Sequence, residues 1–471
     1  MFDPDTLSVV AVWVTIFVIG VGLMQNTLYA LQLLIAWRSM VSQPKIRRTS
    51  ILWRRYADLA PPIALISPAY NEERSIVQSV RSLMALRYAS FEVIVVNDGS
   101  KDATLERLIE AFDLKPVKRP ADRSLDHQPV RGIYGSELHP ELIVVDKENG
   151  GKADALNAGI NVSRAPIFCS MDADSVLESD ALLRAVKPFV DDPGRTIAVG
   201  GTVRLANGCE IRDGEVVSTG LSRNLLALFQ TVEYVRAFLM ARLAWSRIGA
   251  LTIISGAFGL FRRGAVIEAG GYTVGTVGED MELVIKLHKQ FRKASTDYRI
   301  AYISEPICWT EAPEDLRTLR RQRERWHRGS LETFFRHKDM FLNPRYGRVG
   351  SLGFLNILLI DVIGPLAEVL GYILVPLFYA LGLLSVDYFL AFLALSFTFG
   401  ITISVFALIL EELSLKRFSR AGDLVILGAV AVLENFGYRQ LNNFWRLRGT
   451  WQYLRGSQQW GEMKRKGFGG T

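Results

Sequence analysis

The sequence has few charged residues and very few cysteines for its length. Only 22% of its 471 residues are charged and its mean hydropathy is +0.18, whereas ordinary soluble domains are about a quarter charged. Three widely spaced cysteines, Cys169, Cys209 and Cys308, make neither a disulfide framework nor a zinc site, and free thiols are typical of a reducing compartment. No long low-complexity tract is present and 49% of the residues are hydrophobic, which excludes disorder. A uniformly water-soluble enzyme is therefore not expected.

The first apolar stretch predicts a membrane-spanning helix within residues 1–40. Leu7 to Trp37, about 31 positions, contains no charged residue, and a tilted helix of about 20 residues already crosses the hydrocarbon core. A signal peptide is not expected, because it would begin with basic residues, whereas Asp3 and Asp5 stand here. The next basic residues are Arg38, Lys45, Arg47, Arg48, Arg54 and Arg55. The positive-inside rule then places the following chain in the cytoplasm.

The C-terminal third, residues 350–445, contains further candidate spans. Leu352–Leu384 and Tyr388–Leu410 are long and apolar, whereas Leu424–Leu441 contains Glu434 and Arg439. The loop before this third segment and the tail 446–471 are both basic, with Lys416, Arg417, Arg420, Arg446, Arg448, Arg455, Lys464, Arg465 and Lys466. Since both should then be cytoplasmic, two alternatives stay open: the third segment is re-entrant or interfacial, or the first crosses twice.

Polar residues inside these apolar segments have two interpretations. They are Asp361, Glu368, Glu434, Tyr438, Arg439, Asn442 and Asn443. Intramembrane polar groups often line a polar path, and they also form hydrogen bonds between neighbouring helices. The sequence does not distinguish between these two interpretations.

The middle of the chain, residues 56–312, has the pattern of a soluble α/β domain. Short apolar runs that end in turn residues predict strands, and apolar residues at helical spacing predict helices. The predicted strands are Ile63–Ser67, Phe91–Val96, Glu141–Asp146 and Pro166–Met171, and the predicted helices between them are Glu72–Arg87 and Ala153–Val162. This alternation predicts a mostly parallel sheet with right-handed crossovers. Ligands of such sheets bind beyond the carboxyl ends of the strands.

Three aspartates stand where predicted strands end. Asp98 follows the second strand, and Asp172 and Asp174 follow the fourth. In an extended stretch Asp172 and Asp174 project to one side, because a single residue separates them. Two carboxylates with room for phosphate oxygens suit Mg²⁺ or Mn²⁺ holding a diphosphate. A solvated turn is the alternative.

Two adjacent glycines precede a predicted helix in Asn149-Gly-Gly-Lys152. Their amides are able to approach an anion, and Lys152 adds a positive charge. The segment is neither a Walker loop nor a G-x-G-x-x-G fingerprint, which argues against an NTPase or a dinucleotide enzyme. A plain turn is the alternative.

Another pair of carboxylates, Glu279 and Asp280, opens the segment Met281–Lys289. A carboxylate there is a candidate general base if an acceptor hydroxyl lies within hydrogen-bond reach. Capping of a helix by Asp280 is equally compatible with the spacing.

A dense basic stretch within residues 313–348 contains Gln322-Arg-Glu-Arg-Trp326. Gln322, Arg325 and Trp326 share one helical face, and an amide, a guanidinium and an indole suit phosphate and sugar. An amphipathic helix at the membrane surface is the alternative, and the two interpretations are compatible with each other. The net charge of 55 − 48 = +7 also suggests nucleic acid, but one basic cluster beside membrane segments favours the membrane surface, so no nucleic acid is expected.

Together these motifs resemble the processive membrane glycosyltransferases of family 2, which include bacterial cellulose, hyaluronan and poly-N-acetylglucosamine synthases. Seven motifs occur in the family's order: Pro68–Glu73, Val96–Ser100, Asn149–Ala153 with Leu156 and Asn157, Asp172–Asp174, Ser255–Phe258, Gly278–Asp280 and Gln322–Trp326. Gly278 stands where cellulose synthases more often have threonine. The length and the Glu-Asp pair are more similar to the poly-N-acetylglucosamine type.

The resemblance implies a role for each motif residue. Donor binding would involve Tyr70 and Glu72 at the base, Asp98 at the uridine, and Lys152, Asp172, Gln322 and Arg325 around the diphosphate. Asp174 would hold the diphosphate through Mg²⁺ or Mn²⁺. Ser255 and Gly256 would lie on the acceptor side, and Trp326 would stack on the terminal sugar. Asp280, beside Glu279, would deprotonate the acceptor hydroxyl for an inverting attack on the anomeric carbon.

The resemblance further implies a cytoplasmic GT-A-type α/β domain, Rossmann-like with a mostly parallel sheet, joined to α-helical transmembrane segments in the inner (plasma) membrane. The donor would be a UDP-sugar, with N-acetylglucosamine expected before glucose. The acceptor would be a growing polysaccharide that also passes through the membrane, and accessory export or regulatory subunits are further implied partners. Two alternatives are a non-processive transferase that adds one sugar to a lipid, and a silent sugar-nucleotide sensor.

Overall fold

A computed structural model of the chain describes residues 4–42, 53, 56–212, 215–415 and 421–456. The chain divides into two compact units. The helical unit comprises Met1–Ser42, Asn224–Trp245 and Pro313–Gly461, and the sheet unit comprises Gln43–Arg223, Ser246–Ala312 and Glu462–Thr471. Several basic residues used to predict the membrane orientation lie outside the described residues: Lys45, Arg47, Arg48, Arg54, Arg55, Lys416, Arg417, Arg420, Lys464, Arg465 and Lys466.

The secondary structure alternates strands and helices through the sheet unit and is helical elsewhere. The strands are β1 (Ile63–Ala69), β2 (Phe91–Asp98), β3 (Leu114–Pro116), β4 (Val130–Ser136), β5 (Leu142–Lys147), β6 (Ile167–Ser170), β7 (Val176–Leu177), β8 (Thr196–Leu205), β9 (Glu210–Arg212), β10 (Glu215–Ser218), β11 (Gly259–Arg262) and β12 (Arg299–Thr310). The α-helices are α1 (Pro4–Ser42), α2 (Ile76–Met84), α3 (Thr104–Phe112), α4 (Lys152–Val162), α5 (Ala181–Asp191), α6 (Leu225–Tyr234), α7 (Leu243–Arg247), α8 (Arg263–Glu268), α9 (Glu279–Lys293), α10 (Leu316–Arg336), α11 (Phe354–Asn356), α12 (Gly364–Ala380), α13 (Val386–Leu393), α14 (Phe399–Leu415), α15 (Ala421–Leu433) and α16 (Tyr438–Leu454). Within the described ranges, four π-helical segments continue these helices: Val235–Arg242, Val349–Gly353, Ile357–Ile363 and Ala394–Thr398. Short 3-10 turns lie at Ala57–Leu59, Lys338–Met340 and Pro344–Tyr346.

The sheet unit is built on a mixed sheet of ten strands in the order β3-β4-β5-β2-β1-β6-β11-β8-β12-β7. The neighbours β5, β2, β1 and β6 run parallel, which confirms the predicted parallel strands. Beyond β6 the order changes, because β11 lies antiparallel between β6 and β8. The mostly parallel prediction therefore holds for the part of the sheet where strands and helices alternate along the sequence.

The central strands are buried on both faces. Every residue of β5 and β8 is buried, as are the last six residues of β2. Continuous apolar runs are typical of parallel strands covered by helices on both sides. Because each parallel strand ends at the same edge, the residues that follow β1, β2, β5 and β6 gather there.

Gly159 allows α4 to approach the sheet closely. A Cβ added at Gly159 would lie only 2.4 Å from Cγ2 of Ile66, a fully buried residue of β1. Since real Cβ atoms do not approach other atoms so closely, either the helix or the strand would have to move. The glycine therefore sets the distance between β1 and the helix that begins with Lys152.

We expect Gly159→Ala to destabilise the sheet unit by about 1–3 kcal/mol, because the added methyl overpacks a filled core. The apparent melting temperature of the purified protein in detergent measures the loss. Gly264→Ala in α8 is the matched control, since nothing lies within 4 Å of its Cβ position. Equal melting temperatures for the two variants would contradict the close packing of α4 on β1.

The helical unit contains the predicted membrane spans. Among the described residues three helical stretches are long and apolar enough to cross a membrane: Thr6–Ser42 with 37 residues, Val349–Ala380 with 32 and Val386–Leu413 with 28. Val349–Ala380 is one continuous helical stretch, which gives no support to the alternative in which this segment crosses twice. Gly422–Leu433 and Tyr438–Leu454 are bent by 56° at a short break, the geometry of a broken span or of a re-entrant segment.

The acidic residues of the apolar C-terminal segments are paired with arginines. The ion pairs are Arg236–Glu434, Arg439–Glu368 at 3.3 Å and Arg446–Asp361 at 2.8 Å. Asn443 Nδ2 also donates to Glu368 at 2.6 Å. Hydrogen bonding between helices, one of the two interpretations of these polar residues, is thus present for Glu434, Glu368 and Asp361.

One segment of the predicted catalytic region belongs to the helical unit. Asn224–Trp245 contains α6, the π-helical segment Val235–Arg242 and the first three residues of α7. Its charged residues explain the assignment, because Glu233 pairs with Arg323 on α10 and Arg236 pairs with Glu434. No sequence pattern distinguishes these helices from those that cover the sheet.

Candidate active site

Asp98, the last residue of β2, holds the glycine loop at the start of α4. It is 3% exposed, and its carboxylate accepts hydrogen bonds from Asn149 Nδ2 (3.1 Å), the Gly150 amide (3.0 Å) and the Gly151 amide (2.8 Å). The two glycine amides thus point to a protein carboxylate rather than to a bound anion, contrary to the expectation. Contact between Asp98 and a uridine stays a prediction.

Lys147 is a buried cation that sequence reasoning missed. Its side chain is 0% exposed, and Nζ lies 2.6 Å from Asp98 Oδ1 and 2.5 Å from Asp154 Oδ1. Asp154 also accepts a hydrogen bond from the Gln128 amide at 2.9 Å. One ammonium shared by two carboxylates keeps all three charges paired inside the fold. A lysine that ends a buried strand, after four apolar residues and Asp146, was the available signal.

Lys147→Met is expected to destabilise the protein by about 3–5 kcal/mol, because it leaves two buried carboxylates without their cation. Thermal unfolding of the full chain measures the loss. Lys115→Met is the control, since Lys115 forms an exposed pair with Glu137 at 3.4 Å and such pairs contribute about 0–1 kcal/mol. Equal melting temperatures for the two variants would show that the buried ion pairs of Lys147 do not stabilise the protein.

Lys152 joins two of the predicted motifs. Its Nζ lies 2.5 Å from Asp172 Oδ1 and 3.3 Å from Glu279 Oε1. Burial lowers the pKa of the Lys152 amine, but the charges of Asp172, Glu279 and Asp280 more than offset burial, so the pKa is raised overall. The amine therefore stays protonated at neutral pH, next to the strand-end carboxylate of Asp172.

The Asp172-Ala-Asp174 stretch is a turn and not an extended strand. The Ser175 amide donates to the Asp172 carbonyl at 3.1 Å, and β7 begins only at Val176. The two carboxylates therefore owe their positions to a turn at the end of β6. The predicted projection to one side assumed an extended backbone, which the turn replaces.

Asp280 lies in the first turn of α9 and contacts the predicted acceptor-side loop. Its Oδ2 accepts from the Gly256 amide at 3.1 Å, and its Oδ1 accepts from the Met281 amide at 2.8 Å. A Cβ at Gly256 would lie 2.7 Å from Lys152 Nζ, so a larger residue would displace the amine. The motifs of Lys152, Asp172, Gly256 and Asp280, far apart in sequence, are therefore brought together.

His288 connects α9 to the segment that precedes this loop. Its Nε2 lies 2.7 Å from the Leu251 carbonyl, and its Nδ1 lies 2.6 Å from the Tyr298 hydroxyl. A carbonyl only accepts, so Nε2 carries the proton and the neutral ring accepts from Tyr298. Burial lowers the pKa of His288 to about 4.

Stability is expected to fall between pH 6.5 and pH 4 because of His288. The folded-state pKa is below the ordinary value, so the contribution is complete above pH 6.5 and is lost as the pH falls towards 4, by about 3 kcal/mol. Melting temperatures across this range should fall less steeply for His288→Gln than for the unchanged protein. Identical slopes for the two proteins would show that His288 does not titrate in this way.

Tyr70 and Glu72 follow β1 at the same edge of the sheet. Tyr70 is 45% exposed, so its ring is accessible to a ligand. The Glu72 amide donates to Thr104 Oγ1 at 2.8 Å, and its carboxylate accepts from Ser75 Oγ at 2.7 Å. Their predicted contact with a nucleotide base stays a prediction.

The remaining predicted residues lie in the helical unit, on α10. Gln322 is 9% exposed, Arg325 is half-buried and Trp326 is 41% exposed. Gln322 Oε1 is buried and accepts no hydrogen bond in the part of the chain that the structure describes. The other predicted site residues, including the partly exposed Ser255, belong to the sheet unit.

The carboxylates present fit a divalent cation that is bound together with a diphosphate. Among the described residues no group of three or more His, Cys, Asp or Glu side chains is arranged to hold a metal by itself. Mg²⁺ commonly binds through one or two carboxylates and completes its shell with substrate phosphates and water. Asp172 and Asp174, at the carboxyl end of β6, provide such a pair.

Comparison with known proteins agrees with this architecture. The mixed sheet with acidic residues at its strand ends defines a GT-A-type glycosyltransferase fold. The family description "Glycosyl transferase family group 2" matches residues 167–409, and "Glycosyl transferase family 2" matches residues 64–268. The chain therefore belongs to the family 2 glycosyltransferases and is an enzyme of that class.

Curated relatives are polysaccharide synthases of staphylococci. The poly-beta-1,6-N-acetyl-D-glucosamine synthase of Staphylococcus aureus strain COL is 30% identical over 275 residues, 58% of this chain and 56% of that protein. The synthase of the same name from Staphylococcus epidermidis strain ATCC 35984 is 29% identical over the same shares. The match thus spans little more than half the length of these relatives.

A solved structure supports the fold. The mannosyltransferase PcManGT from Pyrobaculum calidifontis, in complex with GDP-Man and Mn²⁺, has a TM-score of 0.53 and 18% identity, covering 93% of this chain and 99% of that one. At this identity the similarity concerns the fold.

Proposed function

We propose that the chain is an inverting, metal-dependent, processive glycosyltransferase that polymerises a UDP-sugar into a beta-linked exopolysaccharide. The observation that carries the proposal is the cluster in which Lys152 bridges Asp172 and Glu279 while the Gly256 amide holds Asp280. The names of the staphylococcal relatives favour N-acetylglucosamine as the sugar, with glucose second.

Asp280 is proposed as the general base. It would take the proton of an acceptor hydroxyl while that oxygen attacks the anomeric carbon, and the bond from this carbon to the diphosphate would break. The Gly256 amide and the Met281 amide each donate a hydrogen bond to one carboxylate oxygen, which orients the carboxylate and leaves a lone pair on each oxygen. One of these lone pairs would take the proton of the acceptor hydroxyl. A single base without a carboxylate nucleophile suits one displacement and hence inversion. Glu279 would act on Asp280 indirectly, by holding Lys152.

Lys152 is proposed to stabilise the leaving diphosphate. Its amine is protonated, lies beside Asp172 and faces no bulky side chain at Gly256. Mg²⁺ or Mn²⁺, when bound by Asp174 and Asp172, would neutralise further negative charge on the diphosphate. Asp98 and Lys147 would keep the glycine loop, and with it Lys152, in place.

The remaining motif residues are proposed to bind the nucleotide base and the acceptor. Tyr70 would stack on the uracil, with Glu72 beside it, because the tyrosine ring is exposed at the binding edge of the sheet. Gln322 and Arg325 would position the acceptor and pyrophosphate, and Trp326 would stack on the terminal sugar of the growing chain. The Gln322-x-x-Arg325-Trp326 motif favours processive addition, because stacking on Trp326 would retain the product, rather than transfer of one sugar to a lipid.

We place the protein in the inner (plasma) membrane as a multi-pass protein with a cytoplasmic sheet unit. The three apolar helices support membrane insertion. Within the helical unit a small cavity is lined by polar residues (Gln25, Asn26, Glu368, Tyr372, Ser396 and Arg439) and equally by small or apolar ones such as Val18, Val21 and Phe392. We propose that the polysaccharide crosses the membrane along these helices. Export or regulatory subunits are further proposed partners.

Asp280→Asn is expected to lower polymer synthesis by about 100-fold or more, because the amide cannot accept the acceptor proton. The assay uses protein in nanodiscs with a panel of UDP-sugars and Mg²⁺ or Mn²⁺, and it sizes the products. Asp297→Asn is the matched control, since Asp297 is an exposed aspartate that pairs with Arg195 at 2.8 Å.

The product distinguishes the proposal from its alternatives. Long polymer from one donor, lost in Asp280→Asn and kept in Asp297→Asn, supports both the reaction and the base. If the product is a single sugar on a lipid, the protein is a non-processive transferase and the proposed polymerisation is wrong. Unchanged turnover in Asp280→Asn would remove this residue from the role of base.

A further inference from the structure

The indole of Trp326 is covered on one face by a guanidinium. The Cζ atom of Arg323, three residues earlier on α10, lies 4.6 Å from the Trp326 ring centroid. Trp326 is 41% exposed, whereas Arg323 is only 6% exposed. A cation at this distance over an indole is attracted to the ring face, and more strongly when it is desolvated. One face of the ring is therefore occupied from within the protein.

The guanidinium of Arg323 is itself held in one orientation. Its two terminal nitrogens donate to the two carboxylate oxygens of Glu233, both at 2.8 Å. The Tyr438 hydroxyl donates to Glu233 at 3.1 Å, and its ring stacks on Phe229 with 4.7 Å between centroids. A bidentate pair fixes both the position and the plane of a guanidinium. The orientation of the Trp326 ring thus depends on a line of contacts that begins at the first residue of α16.

The backbone of α10 is also fixed to α16 on both sides of Trp326. A Cβ at Gly449 would lie 2.9 Å from the Glu324 carbonyl, so the two helices are in close contact. His327 Nε2 lies 2.8 Å from Thr450 Oγ1, and Gln452 donates to Glu324 at 2.7 Å. Trp326 therefore cannot turn with its helix, and only its side-chain torsions remain to be restrained.

We propose that Arg323 is a positioning residue for Trp326. It restrains the indole in one plane and covers one face, so that the other face receives the terminal sugar of the acceptor. This inference rests on the proposed function, because it takes Trp326 to be the acceptor platform. Because the Trp326 ring is already held in place before the sugar binds, stacking of the sugar on it costs little conformational entropy. Glu233 and Tyr438 act through Arg323.

The kinetic test compares Arg323→Met with the unchanged full-length enzyme in nanodiscs, using UDP-N-acetylglucosamine and a short oligosaccharide acceptor. We expect the acceptor KM to rise about tenfold, with shorter products, while the donor KM stays within about twofold. Arg323→Lys should recover only part of the loss, because an ammonium lacks the planar fork. Arg336→Met is the control on the same helix, since its side chain is 41% exposed and pairs with Glu332 at 3.7 Å.

A double variant separates positioning from a general structural role. If Arg323 acts through the indole, Arg323→Met should change the acceptor KM little once Trp326→Ala is present. Losses that multiply would overturn the inference. Because Arg323→Met leaves Glu233 without its cation, Glu233→Gln provides a second variant that should shift acceptor KM and product length in the same direction by a smaller factor.

A fluorescence measurement tests the restraint without relying on activity. Acrylamide quenching of Trp326 is obtained as the difference between the protein and its Trp326→Phe variant. Arg323→Met should increase this component, because the ring gains freedom and loses its cover, whereas Arg336→Met should not. An unchanged component overturns the inference whether or not the enzyme is active. Absence of turnover with every donor, together with increased quenching, would instead count against the proposed function alone.

Discussion

The buried ammonium of Lys147 is the interaction on which the geometry of the sheet unit's site depends. It stands between Asp98 at the end of β2 and Asp154 in the first turn of α4. Asp98 in turn binds the amides of the glycine loop, so the strand end, the loop and the helix that begins with Lys152 form one connected structure. Three charges are stable in this interior only because each has a partner, and loss of any one would leave the others unpaired.

In the helical unit, too, charged side chains are paired with partners of opposite charge. Arg323 shares its guanidinium between the carboxylate of Glu233 and the face of Trp326, and Glu368 is paired with Arg439. In apolar surroundings an arginine that reaches a carboxylate in two-point geometry is both neutralised and oriented. Such pairs order the helices and present a few exposed groups, such as the Trp326 ring, in defined orientations.

Much of the fold was predictable because local patterns dominate it. The apolar runs that end at Ser67, Val96 and Asp146 are parallel strands in the structure. Short continuous apolar runs bounded by turn residues are typical of buried strands, so this part of the fold could be predicted. For Asp172–Asp174 the sequence left an extended stretch and a turn as alternatives, because a hydrogen bond from the Ser175 amide decides between them. The antiparallel insertion of β11 was missed, because β11 pairs with strands distant in sequence.

The sequence by itself determined the class of protein: which segments are apolar enough to span a membrane, which alternate as strand and helix, and which polar motifs follow strand ends. Only the tertiary structure decided that the glycine amides bind Asp98, that Lys147 is buried, and that Lys152 lies between Asp172 and Glu279. Periodicity and turn chemistry depend on neighbouring residues and are visible along the chain. Hydrogen bonds and charge pairs join residues tens of positions apart, and their partners are chosen by packing.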